Sequence, residues 1–342
     1  MINKLIRETK FDTELSWGAR NAVRVCLRVQ PGEKVTLITD AASLEVAASL
    51  AQELEETGAS FQTFLLEEMA PRPLDDMPQA ILDDLETSTA SFYTVWAQRD
   101  ELKTRMQLME VINRRQIRHA HMVNITKRIM MDGMRADYLK VDQISARVRE
   151  IAMNSRTIRA TTPAGTDLTA AISSSYNWLK TSGIITPQKW GNLPGGEVFT
   201  TPEEVNGTFV IDGVVGDYLC ARYGNLRFCP LTVHIENSRL VSAESKNREL
   251  REAFWAYTHT DENSDRVGEF AIGTNIALTD VIGNILQDEK IPGVHIAFGN
   301  PYGEHTGAKW YSSTHIDVVG RNFDIWADDR RIMRDGQFTL DQ

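Results

Sequence analysis

The feature that most narrows the possible folds is a change of period near the start of the chain. Lys34-Val35-Thr36-Leu37-Ile38-Thr39 is a β-rich run ending at Asp40; Leu44 to Glu56 is amphipathic at helical spacing and stops at Gly58; Ser60 to Leu66 returns to strand character. Strand, helix and strand in that order form a βαβ unit, which packs right-handed with its strands parallel. A helical segment over 14 to 29, closed by Pro31-Gly32, precedes it. Further strands are expected at Ser91 to Ala97 and His121 to Ile125, with a helix from Glu101 to Gln116 between them. A small doubly wound parallel sheet is the expected result.

The loop after the first strand, TDAASLEV, lacks the glycines that let a backbone approach pyrophosphate, so Asp40 and Ser43 read as a helix cap. Arg114, Arg115, Arg118 and His119 read as the exposed end of a helix that precedes a strand. Thr126 to Asn154 is a helical connector, and Met122, Met130, Met131 and Met134 read as gap-filling core.

From Arg156 onward short strands alternate with Gly, Pro and Asn, with one helical interruption at Lys246 to Tyr257. Pro163 to Asp167 and Asn206-Gly207 are expected to be tight turns. Single cores stop growing at roughly 250 to 300 residues, so 342 residues imply two domains. We expect an α/β fold class: an N-terminal doubly wound parallel-sheet domain over 1–155, without a nucleotide-binding loop, and a β-rich α+β metal-binding, catalytic domain over 156–342.

A net charge of −10 works against binding nucleic acid, and no stretch approaches the roughly 18 apolar residues of a membrane span. The opening MINKLIRETKFDTELSWGAR mixes charged with apolar residues from the outset, unlike a secretory leader. Cys26, Cys220 and Cys229 form no CxxC pair and read as core or boundary thiols of a reducing compartment. A cytoplasmic protein is expected.

The unusual chemistry falls in the second half. In NLPGGEVF, paired glycines precede Glu197 at the start of a strand, where a turn can bring backbone and carboxylate to an ion; the alternative is an exposed acid after a turn. In GEFAIGTN, Glu269 stands in an apolar, Gly-flanked segment and needs a partner, either a metal or a base such as Arg266. In DEKIPGVHIAFG, Glu289 and His295 stand at the two ends of one turn; His295 could equally be a hydrogen-bonded core residue. In STHIDVV, His315 and Asp317 are two apart on a strand and so share a face, as a metal pair or as a His-Asp hydrogen bond. Two imidazoles and four carboxylates in one domain suit one or two divalent ions such as Zn, Mn or Co, and two ions can clamp an attacking hydroxide and polarise a carbonyl.

At these four elements, from about Asn192 to Asp329, the chain resembles the thermophilic aminopeptidase T family of metallopeptidases. The resemblance implies that Glu197, Glu269, Glu289, His295, His315 and Asp317 are ligands of a two-ion site, and that Tyr302 donates a hydrogen bond to the reacting centre. It further implies a homodimer that releases N-terminal residues from short peptides. The chain departs from the family's pattern in the turn EKIPGVH, longer by about one residue, and in a short segment between Tyr302 and His315, where His305 and Lys309 are wall residues. More distantly, the chain is similar to ring-cleaving dihydroxypyridine dioxygenases, whose single ferrous ion is held by two His and one carboxylate; that reading needs a His where Glu269 stands.

Overall fold

The structure, a computed structural model, describes residues 3–98 and 100–340. They form two compact units. One runs up to Leu139 and takes back Gly183–Gly195; the other comprises Lys140–Ser182 and the chain from Gly196 onward. The sequence placed a single boundary at 155/156. The chain instead leaves the first unit in the opening turn of the helix Tyr138–Met153, because Val148 and Ala152 of that helix pack in the second unit's core. The segment 183–195 returns because Gly191-Asn192 pairs with a strand of the first.

The first unit holds β1 (Lys34–Thr39), β2 (Ser60–Leu65), β3 (Ala90–Thr94) and β4 (Arg118–His121). They lie parallel in the order β2-β1-β3-β4, with Gly191-Asn192 at the edge beyond β4. The helix α1 (Leu44–Thr57) joins β1 to β2 and ends at Gly58, whose φ of 77° is the left-handed stop that favours glycine. As expected, Asp40 caps the start of this segment, its Oδ1 accepting the Ser43 N–H at 3.0 Å. Met122, Met130 and Met134 are buried core, while Met131 reaches the surface.

β4 begins earlier than the pattern predicted. Gln116 takes a left-handed cap (φ 53°) that turns the helix α2 (Leu102–Arg115) toward the strand within two residues. His119, expected at an exposed helix end, is therefore fully buried in β4, with Nδ1 2.9 Å from Ser91 Oγ. Across the carboxyl ends of β1 and β3, Arg72 donates to Asp40 Oδ2 (2.7 Å), Glu101 Oε1 (2.8 Å) and the Trp96 carbonyl (2.8 Å). Doubly wound sheets use these ends for ligands where the strand order reverses; here a guanidinium and two buried carboxylates stand there.

The second unit is two antiparallel sheets. The larger contains β5 (Thr157–Thr161), β6 (Asp167–Ala171), β8 (Glu204–Ile211), β9 (Leu231–Glu236), β10 (Arg239–Glu244), β14 (Asp324–Ala327) and β15 (Arg330–Arg334), in the order β10-β9-β8-β6-β5-β14-β15, closed by Gln337-Phe338. The smaller is β13 (His315–Val319), β12 (Gly293–Gly299), β11 (Val267–Gly273) and β7 (Glu197–Thr200), in that order, with Leu179-Lys180 at its edge. Pro163 to Asp167 makes the β5-β6 hairpin turn as expected. Asn206-Gly207 does not turn: it lies inside β8, where a Cβ on Gly207 would fall 2.1 Å from the Asp167 carbonyl oxygen, so the glycine serves close strand approach.

Strand alternation then sorts the side chains. Val198, Phe270, Ile272, Ile296, Phe298, Ile316 and Val318 of the smaller sheet join Phe209, Val233 and Ile235 of the larger in one core. Their neighbours along each strand must point the other way. Those neighbours are Glu197, Glu269, Ala271, His295, Ala297, His315 and Asp317.

Candidate metal centre

The register of the smaller sheet brings these outward residues together. Ala271 pairs with His295, Ala297 pairs with both Glu269 and Asp317, Gly273 with Glu197, and Gly299 with His315. The two alanines leave a shallow floor with acids and imidazoles around it. Donor atoms of Glu197, Glu269 and His295 all lie within 4.8 Å of one another, as do those of Glu289, His295 and Asp317. Five of the six expected ligands thus sit on one sheet face. Glu289 reaches the cluster from the end of a short helix, Ile285–Asp288. Its neighbour Asp288 turns away and accepts the N–H groups of Ile282, Gly283 and Asn284.

His295 is 2% exposed, and its Nε2 has no hydrogen-bond partner, standing 3.5 Å from both Glu197 Oε2 and Glu269 Oε1. His315 Nε2 lies 3.4 Å from Asp317 Oδ1 and 4.0 Å from Glu269 Oε2, while its Nδ1 is 2.9 Å from the Asn300 carbonyl. That carbonyl can only accept, so Nδ1 donates a hydrogen to it and Nε2 is the ring nitrogen turned toward the cluster. A metal-binding histidine is held in this way. Arg266, the alternative partner for Glu269, instead stacks on Trp310 at 4.4 Å.

One member of the cluster was not legible as such. Lys290 is 1% exposed, with Nζ 2.7 Å from Glu197 Oε1 and in contact with Glu289 Oε1. Thr181 Oγ1 donates to the same Glu197 oxygen at 2.7 Å. A lysine between an acid and a Pro-Gly turn reads as a solvated residue; the extra residue in that turn was the available signal.

Crowded acids perturb one another. Burial, with Asp317 and Glu197 nearby, pushes the Glu289 carboxyl up to about 8 even though Lys290 opposes the shift. Burial likewise raises Glu269, with His295 and His315 opposing. Burial alone would lower the His315 imidazolium, but Asp317 and Glu269 outweigh it and raise it to about 10. Asp317 itself falls to about 2, because His315 more than offsets burial. Without a metal ion the acids must hold protons or lean on imidazolium and the Lys290 ammonium; a divalent ion would satisfy the same carboxylates and the orphaned His295 nitrogen. The donor set therefore fits a divalent metal of borderline to hard character.

Tyr302 caps a short helix, Gly303–Thr306, in the left-handed conformation (φ 49°) and is 42% exposed. Its ring lies 4.6 Å from that of His315. Burial of the phenol and the nearby Asp317, Glu269 and Glu289 carboxylates raise its pKa, so the hydroxyl keeps its proton. His305 and Lys309 are exposed. The three cysteines are free, two of them buried. Among the described residues no helix is long and apolar enough to cross a membrane.

An acid-rich donor set on the outer face of a sheet is the equipment of a metal-dependent enzyme. The chain belongs to the thermophilic metalloprotease (M29) family, whose profile matches residues 118–336, and it is accordingly a metallopeptidase, a hydrolase. The match takes in every strand of the smaller sheet. No curated protein matches the chain in sequence. Among solved structures it is similar to wild-type AmpT from Thermus thermophilus, at 18% identity and a TM-score of 0.70, covering 96% of this chain and all of that one. It is also similar to 2,5-dihydroxypyridine dioxygenase from Pseudomonas putida KT2440, at 15% identity and a TM-score of 0.68, covering 95% and 96%. These likenesses establish the α/β fold.

Proposed function

We propose that the chain is an aminopeptidase that removes N-terminal residues from short peptides, with Glu197, Glu269, Glu289, His295, His315 and Asp317 as the donors around its metal. The observation that carries this reading is the convergence of these six side chains, from four strands and a helix end, within a few ångströms. When bound, a divalent ion supplies a water that is nucleophilic near neutral pH and polarises the scissile carbonyl. The family resemblance implies two ions for such a donor set. The chain's own residues do the rest. His315 is locked by Asn300 with one nitrogen toward the cluster, so the donor geometry is preorganised. The surplus of carboxylates draws the cationic α-amine of a peptide and disfavours its carboxylate end. Tyr302, protonated throughout the neutral range, donates a hydrogen bond to the oxygen that gains charge in the reaction.

The test is release of amines from leucyl or aromatic aminoacyl reporters by the protein supplied with Zn, Mn or Co. Glu269→Ala should lower that activity by more than about 100-fold, the upper loss found when only a ligand's supporting partner is removed. Full activity in this variant would end the assignment. A second reading, ring cleavage at one ferrous ion, rests on the dioxygenase of like fold and on His315 and Asp317 as one imidazole and one carboxylate, with Glu269 standing where it needs a second imidazole. Three further carboxylates stand against it, and oxygen uptake with a dihydroxypyridine would reveal it.

A further inference from the structure

We propose that Lys290 takes the place of one metal ion, so that this centre holds a single divalent cation with a fixed ammonium beside it. The inference rests on the metallopeptidase reading above and concerns how many ions that site accepts.

The ammonium pairs with one acid from each of the two groupings that could hold an ion. It bridges Glu197 and Glu289 and is sealed from solvent. Glu197 Oε1 accepts from both Lys290 and Thr181, which uses the lone pairs of that oxygen. The donors left over are Glu197 Oε2, Glu289 Oε2, Glu269, Asp317 and the two imidazoles. Both three-residue groupings that could hold a metal draw on His295, and one imidazole nitrogen binds one ion at a time.

The position of the lysine is built by its backbone. The Asn275 N–H donates to the Lys290 carbonyl at 3.0 Å, and the Lys290 N–H to Gln287 at 2.9 Å. The end of β11 presses against it: a Cβ on Gly273 would fall 1.9 Å from the Ile291 oxygen and 2.9 Å from the Lys290 carbonyl carbon. Leaving the cluster would strand a buried ammonium or two buried carboxylates, which is strongly unfavourable. A divalent ion placed between Glu197 and Glu289 would face that ammonium at close range in a site of low dielectric.

Metal content and titration calorimetry with Zn or Mn on the purified full chain test this, read together with amine release. One ion per chain in an active protein is the expected result. Two ions of similar affinity in an active protein would overturn the inference and leave the aminopeptidase reading intact; a chain that binds no ion and releases no amine would remove that reading and the inference with it. Lys290→Met should raise the capacity to two ions, and Lys290→Arg, which keeps the charge, should hold it at one. A Lys290→Met protein that folds and still binds one ion would count against the lysine as the cause. Should Lys290→Met not fold, the stoichiometry of the unmodified chain decides alone.

Discussion

Replacing Arg72 by methionine removes the cation from a site where both anions are inaccessible: Asp40 is 1% and Glu101 2% exposed. Removing one partner of a buried pair costs about 3–5 kcal/mol, because the remaining charge is left uncompensated. Two features pull the expectation toward the lower end. Asp40 keeps the N–H groups of Ser43 (3.0 Å) and Trp96 (2.7 Å), and Glu101 keeps that of Leu74 (2.9 Å). A loss of about 3 kcal/mol is expected at neutral pH. Burial pushes the Glu101 carboxyl up, but the Arg72 and Leu74 hydrogen bonds outweigh it and hold the group below its usual range. A depressed carboxyl stabilises above its unfolded pKa and loses that contribution as pH falls. The penalty for Arg72→Met should therefore shrink toward pH 4, where neutral carboxyls can be buried at less cost. Hydrogen exchange of the β1 and β3 amides reports the opening free energy of this sheet directly. A loss below about 1 kcal/mol at pH 7, within the range of an exposed ion pair, would refute the argument that this triad organises the strand ends.

Two other perturbations follow from the same kind of accounting. Burial holds His119 well below its ordinary value and, with Arg105 nearby, His121 at about 3, so stability is present above pH 6.5 and is lost as pH falls toward 3. His121→Phe, which keeps a ring against Tyr93, should flatten the fall of the urea midpoint over that window; an unchanged slope would exclude His121 as its source. Gly273→Ala places a methyl group against the Ile291 carbonyl and should cost about 1–3 kcal/mol or more, with weaker metal binding by calorimetry; a variant with native thermal stability would show that this contact yields freely.

What could be read from the sequence was whatever local period fixes. GEFAIG, VHIAFG and HIDVV each alternate with period two, so their acids and imidazoles had to share a face once the segments paired, and the register confirms it. The βαβ start was legible for the same reason. What failed depended on contacts far along the chain. Asn206-Gly207 has turn chemistry, but its glycine answers to Asp167, some forty residues away. The helix Asp217–Tyr223 was missed because GDYLCARYG is short and bounded by glycines that read as loop. Lys290 is the clearest case: nothing within its own turn says that Glu197 stands above it.

Two solved structures that this chain resembles carry names from different reaction classes, so the scaffold does not choose the chemistry. The choice falls to the charge and number of the donors. Oxygen chemistry at ferrous iron uses two imidazoles and one carboxylate because open coordination positions are needed. Here Glu269 approaches both His295 and His315, and each carboxylate that joins such a set closes a position and deepens the negative field. A redox-inert divalent ion tolerates that crowding, and the field that results favours a substrate bearing a free amine. Lys290 takes up part of the excess by pairing with Glu197 and Glu289.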